Sequence, residues 1–389
     1  MKRSLKNQFS VAEWSGAVGD LGTMLPLAFA LIIFNQFPPQ RLFFLWGLVY
    51  LITGWYYRVP VAVQPLKAMA VIAIASGFSV AQLSSAAFFY GILMVLLSAT
   101  GAIRGLERWF SPALVRGVQL GIGLILLQKA LMMIHSNGVY FNQGNAALWV
   151  KILLFSVVVL VLFVMQFIRK IPVSIFVIAA SIGVTGFLGL APAHSWVDGR
   201  AFHLQIPQFD FLFAGLIYLM IPQLPLTLGN AVFAANDACH SFWREQAKRV
   251  SSSRLGFSIG LSNIVIGLLG GFPICHGAGG IAAHAKFGAK TGGSTIIIGS
   301  LLIIVALINP LAEFLFYIPI PILGAMLLFT SWSLMALVKK LPGRIELMVA
   351  VTVGAISFFT RNLTIALLAG LGLEYTLNFV NKRCFVVRP

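Results

Sequence analysis

The stretch Gly271-Phe272-Pro273-Ile274-Cys275-His276-Gly277-Ala278-Gly279-Gly280-Ile281 constrains this chain more than any other. Pro273 removes a backbone donor and disfavours helix at Phe272, and the glycines after His276 admit another group close to the backbone. The pattern is an extended piece that opens into a small-residue helix. Inside a membrane such a break leaves the first amides of the following half-helix unpaired and puts about half a positive charge at that end, which makes an anion site. Val59-Pro60-Val61-Ala62-Val63-Gln64-Pro65-Leu66-Lys67-Ala68-Met69-Ala70 has the same grammar. Two matching breaks in two halves point to a transporter.

The composition requires a bilayer. Of the 389 residues 59% are hydrophobic and only 10% charged, against about 25% charged in soluble domains. The net charge of +17 comes from Lys and Arg clusters between apolar runs and not from one basic face, so it reads as membrane topology and no nucleic acid partner is expected. Cys239, Cys275 and Cys384 are too few and too scattered for a disulfide framework or a metal site.

The apolar runs place spans at about 14–34, 42–57, 59–77, 82–103, 112–134, 148–168 and 171–190, then at about 211–235, 255–270, 272–288, 293–308, 311–335, 345–360 and 363–380. The expectation is an all-α polytopic membrane protein of about 14 segments, in two repeats of seven with segments 3 and 10 broken. An odd number per repeat inverts one half relative to the other. With the N-terminus inside, the clusters Lys2/Arg3/Lys6, Arg104/Arg108, Arg169/Lys170, Arg244/Lys248/Arg249/Arg254, Lys286/Lys290, Lys339/Lys340/Arg344 and Lys382/Arg383/Arg388 all fall inside. The outer loops keep mainly Arg41, Arg200 and Arg361, and both termini are expected in the cytoplasm.

An anion held at such breaks needs many donors and compensating charge, of which two half-helix N-termini supply about one unit. Lys67, two residues after Pro65, can supply the rest. Its competing roles are an ion pair with Asp20 or snorkelling. Gln64, Gln223, Thr227 and Asn230 offer neutral donors at the same depth, or tie up backbone groups freed by the breaks. His276 is a candidate for a proton or substrate, or a structural hydrogen-bonder. Gly277, Ala278 and Gly279 open the second half-helix, and Gly277, Gly279 and Gly280 equally suit tight helix packing. Asp20, in the first span, is the second coupling candidate beside His276: burial and an incoming dianion both favour its protonated form, and Lys67 opposes them. Glu13, Glu107, Asp237 and Glu245 are expected to be solvated; Glu313 and Glu374 are unassigned.

Gly19-Asp20-Leu21-Gly22-Thr23, Pro60-Val61-Ala62-Val63-Gln64-Pro65-Leu66-Lys67, Gln223-Leu224-Pro225-Leu226-Thr227 and Pro273-Ile274-Cys275-His276-Gly277-Ala278-Gly279-Gly280 together resemble the molybdate transporter family, a relative of the SulP sulfate permeases. The resemblance implies a single transmembrane domain over 1–389, built as in SulP and uracil permeases from a substrate-carrying core, about 1–103 and 211–291, and a gate, about 104–210 and 292–389. No STAS domain is expected in it. In plant members the third motif continues Thr-Leu-Asn-Ser, whereas here Leu228-Gly229-Asn230-Ala231 keeps only the Asn in register.

The function expected is a secondary active transporter, a symporter of a tetrahedral oxyanion in the cell membrane. Molybdate is preferred over sulfate on the family motifs alone. The oxyanion, the lipid bilayer and a coupling proton or cation are its partners, and no cofactor is expected. An anion channel and a nucleobase permease are the alternatives, the latter commonly placing carboxylates where Gln223 and His276 stand. A membrane enzyme would need an acidic metal cluster or an activated nucleophile, which 10 acidic residues do not form here.

Overall fold

A computed structural model of the chain describes residues 6–106, 110–140, 146–165, 173–190, 204–308 and 314–386, with the side chains of Thr23, Arg104 and 378–386 excepted. The first half runs α1 (Val11–Asn35), α2 (Pro39–Tyr57), β1 (Gln64–Pro65), the half-helix α3 (Lys67–Ser76), α4 (Val80–Ala99), α5 (Pro112–Met132), α6 (Leu148–Met165) and α7 (Val173–Phe187). The second runs α8 (Phe209–Ala247), α9 (Ser252–Leu268), β2 (Ile274–Cys275), the half-helix α10 (Ala278–Lys286), α11 (Gly293–Leu307), α12 (Ile320–Met335), α13 (Arg344–Thr360) and α14 (Leu363–Val386).

Local chemistry sets the boundaries. Ser79 and Gln82 form a reciprocal capping box at the start of α4, Ser111 caps α5 ahead of Pro112, and α3 ends on Gly77 at φ 71°. Pro26 lies inside α1, whose two parts meet at 42°. Pro222 and Pro225 interrupt α8, where the helix relaxes into π-helical turns at Leu216–Met220 and Thr227–Phe233. Among the described helices, five are long and apolar enough to cross a membrane alone, and six if α1 counts as one bent span.

The packing repeats between the halves. α4 lies against α9 and α11 against α2; α5 lies against α13 and α12 against α6; α1 meets α10 and α8 meets α3. Each pair becomes the other when every helix is exchanged for the one seven places along, as two inverted repeats require. Two of these crossings use the same device. A Cβ on Gly91 would stand 2.7 Å from the Gly260 carbonyl oxygen, and one on Gly299 would stand 2.6 Å from that of Gly47, so only glycine lets these backbones meet.

α11 packs on α2. Several expectations are corrected. Glu13 is 1% exposed and not solvated: its carboxylate accepts from the amides of Lys290, Thr291 and Ser294 and from the Thr291 hydroxyl, at 2.9–3.2 Å, capping α11. Arg41 is a buried residue of α2 reaching the Gly270 carbonyl, not part of an exposed loop. Asn35 is buried too, and its amide donates to the carbonyls of Ala73 and Phe78 at the end of α3. Lys2, Arg3, Glu107, Arg108, Arg169, Lys170, residues 191–203 with Arg200, Glu313 and Arg388 lie outside the described residues.

Candidate functional site

The two breaks meet at the centre of the fold. β1 and β2 pair antiparallel, with Gln64 opposite Cys275 and Pro65 opposite Ile274, and the Leu66 amide adds a bond to the Pro273 carbonyl at 3.1 Å. The free edge of β2 is closed by Asn263, which accepts from the Ile274 amide at 2.7 Å and donates to the Ile274 carbonyl at 2.9 Å. Trp46 donates to the Phe272 carbonyl. Backbone groups that the prolines leave unpaired in an apolar interior are thereby satisfied. Antiparallel strands send α3 and α10 away in opposite directions, with both N-termini beside the strand pair.

At the start of α3, Gln223 Oε1 accepts from the amides of Ala68 and Met69 at 2.9 and 3.2 Å, and its Nε2 donates to Thr227 Oγ1 at 3.0 Å. Gln223 and Thr227 stand at i and i+4 of α8, and Asn230 follows in the π-helical turn Thr227–Phe233. Gln223 and Thr227 are buried, and Asn230 is half-buried. Lys67 is the first residue of α3 and half-buried. Among the described residues its ammonium makes no hydrogen bond or ion pair.

Asp20 is fully buried and is bonded to three other side chains. Gln64 Nε2 donates to its Oδ1 at 2.8 Å, while its Oδ2 accepts from the Tyr50 hydroxyl at 2.6 Å and faces His284 Nε2 at 3.2 Å. The expected alternative of an Asp20–Lys67 pair is not formed; the charge partner is His284. His284 Nδ1, on the far side of the ring, is buried without a partner among the described residues.

The start of α10 separates the roles of its glycines. A Cβ on Gly280 would lie 2.5 Å from Asp20 Oδ1 and 2.6 Å from Gln64 Nε2, so this glycine lets the Asp20–Gln64 bond pass against the helix. A Cβ on Gly277 would lie 2.7 Å from Gln64 Oε1 and 3.8 Å from Asn230 Nδ2. Gly279 has nothing within 4 Å of such an atom and is exposed, between half-buried Ala278 and buried Gly280. The open side of α10 is therefore at Ala278 and Gly279. His276 stands apart: Ala62 O lies 2.9 Å from its Nδ1 and Ser258 Oγ 2.9 Å from its Nε2, which ties α9 to the chain ahead of β1.

The sequence reading thus gathers Asp20, Gln64, Lys67, Gln223, Thr227, Asn230 and Gly277–Gly279 around one strand pair, and misses His284 and Tyr50. His284 had one signal, a polar residue four places after Gly280 on a nine-residue half-helix. Two helix N-termini, one lysine and a set of neutral amides have the donor chemistry that an anion would need.

A sequence profile described as "Molybdate transporter of MFS superfamily" matches residues 12–126 and 215–334, more than half of the chain. Molybdate transporter 2 of Arabidopsis thaliana is 26% identical over 420 residues, covering 98% of this chain and 90% of that protein. Molybdate transporter 1 of Chlamydomonas reinhardtii is 25% identical, covering 85% and 84%. Among solved structures, the transmembrane domain of the cyanobacterial bicarbonate transporter BicA superposes with a TM-score of 0.70 at 16% identity, covering 94% of this chain and 98% of that one. The murine anion transporter Slc26a9 in its inward-facing state gives 0.69 at 14% identity, covering 97% and 69%. With the profile spanning both broken segments, the chain belongs to the molybdate transporter family.

Proposed function

We propose that this protein is a secondary active transporter of a tetrahedral oxyanion, molybdate in the first place, which carries its substrate at the strand pair by alternating access. The observation that carries this reading is Lys67, an ammonium at the first residue of a half-helix with no described protein partner, beside the open start of a second half-helix. Placing a lysine near mid-membrane costs about 2.5–3.5 kcal/mol, and an anionic substrate offsets that cost. That the plant and algal proteins similar to this chain over most of its length are named molybdate transporters supports molybdate, rather than sulfate, as its substrate. The basic loops orient the chain with its Arg244–Arg254 end and both termini in the cytoplasm of a cell membrane.

Coupling to a proton is assigned to the Asp20–His284 pair, which holds a titratable carboxylate and a ring nitrogen without a described partner next to Gln64. Purified protein in proteoliposomes should take up molybdate, with tungstate and sulfate competing more strongly than phosphate or uracil. Competition by uracil and by no oxyanion would replace this reading with a nucleobase permease.

A further inference from the structure

A cavity of about 420 Å³ opens between α5 and α8, lined among others by Ser111, Val115, Arg116, Gly229, Asn230 and Phe233. It adjoins the strand-pair site through Asn230, whose Nδ2 lies 3.8 Å from where a Cβ on Gly277 would stand. The opposite wall carries Arg116. Arg116 is half-buried and donates to Gln119 Oε1 at 2.8 Å. Among the described residues no carboxylate is within ion-pair distance of it. The acidic group on this side, Glu374, accepts from the Ser111 hydroxyl at 2.8 Å. A guanidinium presents its donors as a rigid fork that fits an oxyanion edge, and one bond to Gln119 leaves most of them for a ligand. Val115 and Phe233 make the walls apolar, where charge is weakly screened.

We propose that Arg116 and Asn230 form a second oxyanion station, a vestibule that holds the anion between the strand-pair site and the end of the molecule bearing the Arg244–Arg254 loop. This rests on the oxyanion reading, but it requires binding that does not depend on Lys67.

The test uses full-length protein with Cys239, Cys275 and Cys384 replaced by alanine and with Ala234→Cys on the cavity wall. The rate of maleimide labelling is followed against molybdate and against sulfate, and total binding is measured in parallel by titration calorimetry, with the part lost on Lys67→Met assigned to the central site. The expected result is that molybdate slows labelling both in the otherwise unchanged protein and with Lys67→Met. Arg116→Gln should raise the half-protecting concentration about tenfold, the loss of one charge-assisted contact, and Arg116→Lys should restore part of it. Protection that disappears with Lys67→Met, or that survives Arg116→Gln unchanged, overturns the vestibule while leaving the central site standing. Absence of protection alongside intact calorimetric binding overturns it as well. Protection that needs Arg116 while no variant shows central binding upholds the vestibule and overturns the central reading.

Discussion

Gln223 Oε1 lies 2.9 Å from the amide nitrogen of Ala68, so a side chain of α8 occupies the N-terminal donors of α3. The geometry couples substrate to helix position: an anion that takes those amides must displace Gln223, and α8 also carries Thr227 and Asn230. Gln223→Glu places a permanent carboxylate there. A helix N-terminus favours that charge by about 0.3–1 kcal/mol, so thermal stability should hold while molybdate affinity falls by about tenfold or more. Calorimetry with a melting curve reads both, and unchanged affinity would remove the α3 terminus from the site.

Proton coupling should follow Asp20 and His284 and not His276. If the anion binds with a proton, affinity must rise as pH falls, by up to about tenfold per unit for one proton. Asp20→Asn and His284→Gln should each flatten that dependence. His276→Gln should keep it, since both His276 ring nitrogens already face the Ala62 carbonyl and the Ser258 hydroxyl. A pH-independent wild type, or a His276→Gln variant that alone loses the dependence, contradicts the assignment.

The glycines of α10 should separate by substitution. Gly279→Ala meets open space and should fold as the wild type, whereas Gly280→Ala drives a methyl into Asp20 and Gln64. Overpacking of this kind costs about 1–3 kcal/mol. Thermal unfolding in detergent should show the loss for Gly280→Ala alone, and equal melting of the two variants would refute the packing account.

Glu13 offers a purely structural test. Replacing it with alanine strips the acceptor from the amides of Lys290, Thr291 and Ser294. Leaving buried donors unsatisfied costs about 1–3 kcal/mol each before relaxation. Glu13→Ala should therefore lower the melting temperature sharply, and Glu13→Gln should do so less because it keeps an acceptor.

Much of this was legible in the sequence because proline and glycine act locally. Pro60, Pro65 and Pro273 mark where helix cannot continue, and the structure has non-helical chain at 59–66 and 272–277 with a short strand in each. Gln223, Thr227 and Asn230 stand out in the sequence as neutral donors at the depth of the breaks. What stayed hidden was pairing across hundreds of residues. Nothing local distinguishes His284, which meets Asp20, from His276, which holds α9 in place, and nothing local tells that Glu13 caps a helix starting at Gly293. Arg116 is a single charge in an apolar run, and only the neighbouring helix α8 reveals the cavity it faces.

The central claim is that Lys67 and the two half-helix termini bind one oxyanion, and titration of molybdate into wild type and Lys67→Met tests it most directly. Losing the one cation from a desolvated anion site is worth about 3 kcal/mol, or ~100-fold in affinity. The account predicts that a Lys67→Met protein which remains monodisperse and helical loses the central-site heat of molybdate binding seen in the wild type and keeps only the heat that Arg116→Gln removes. Molybdate binding to Lys67→Met with the affinity of the wild type would contradict it.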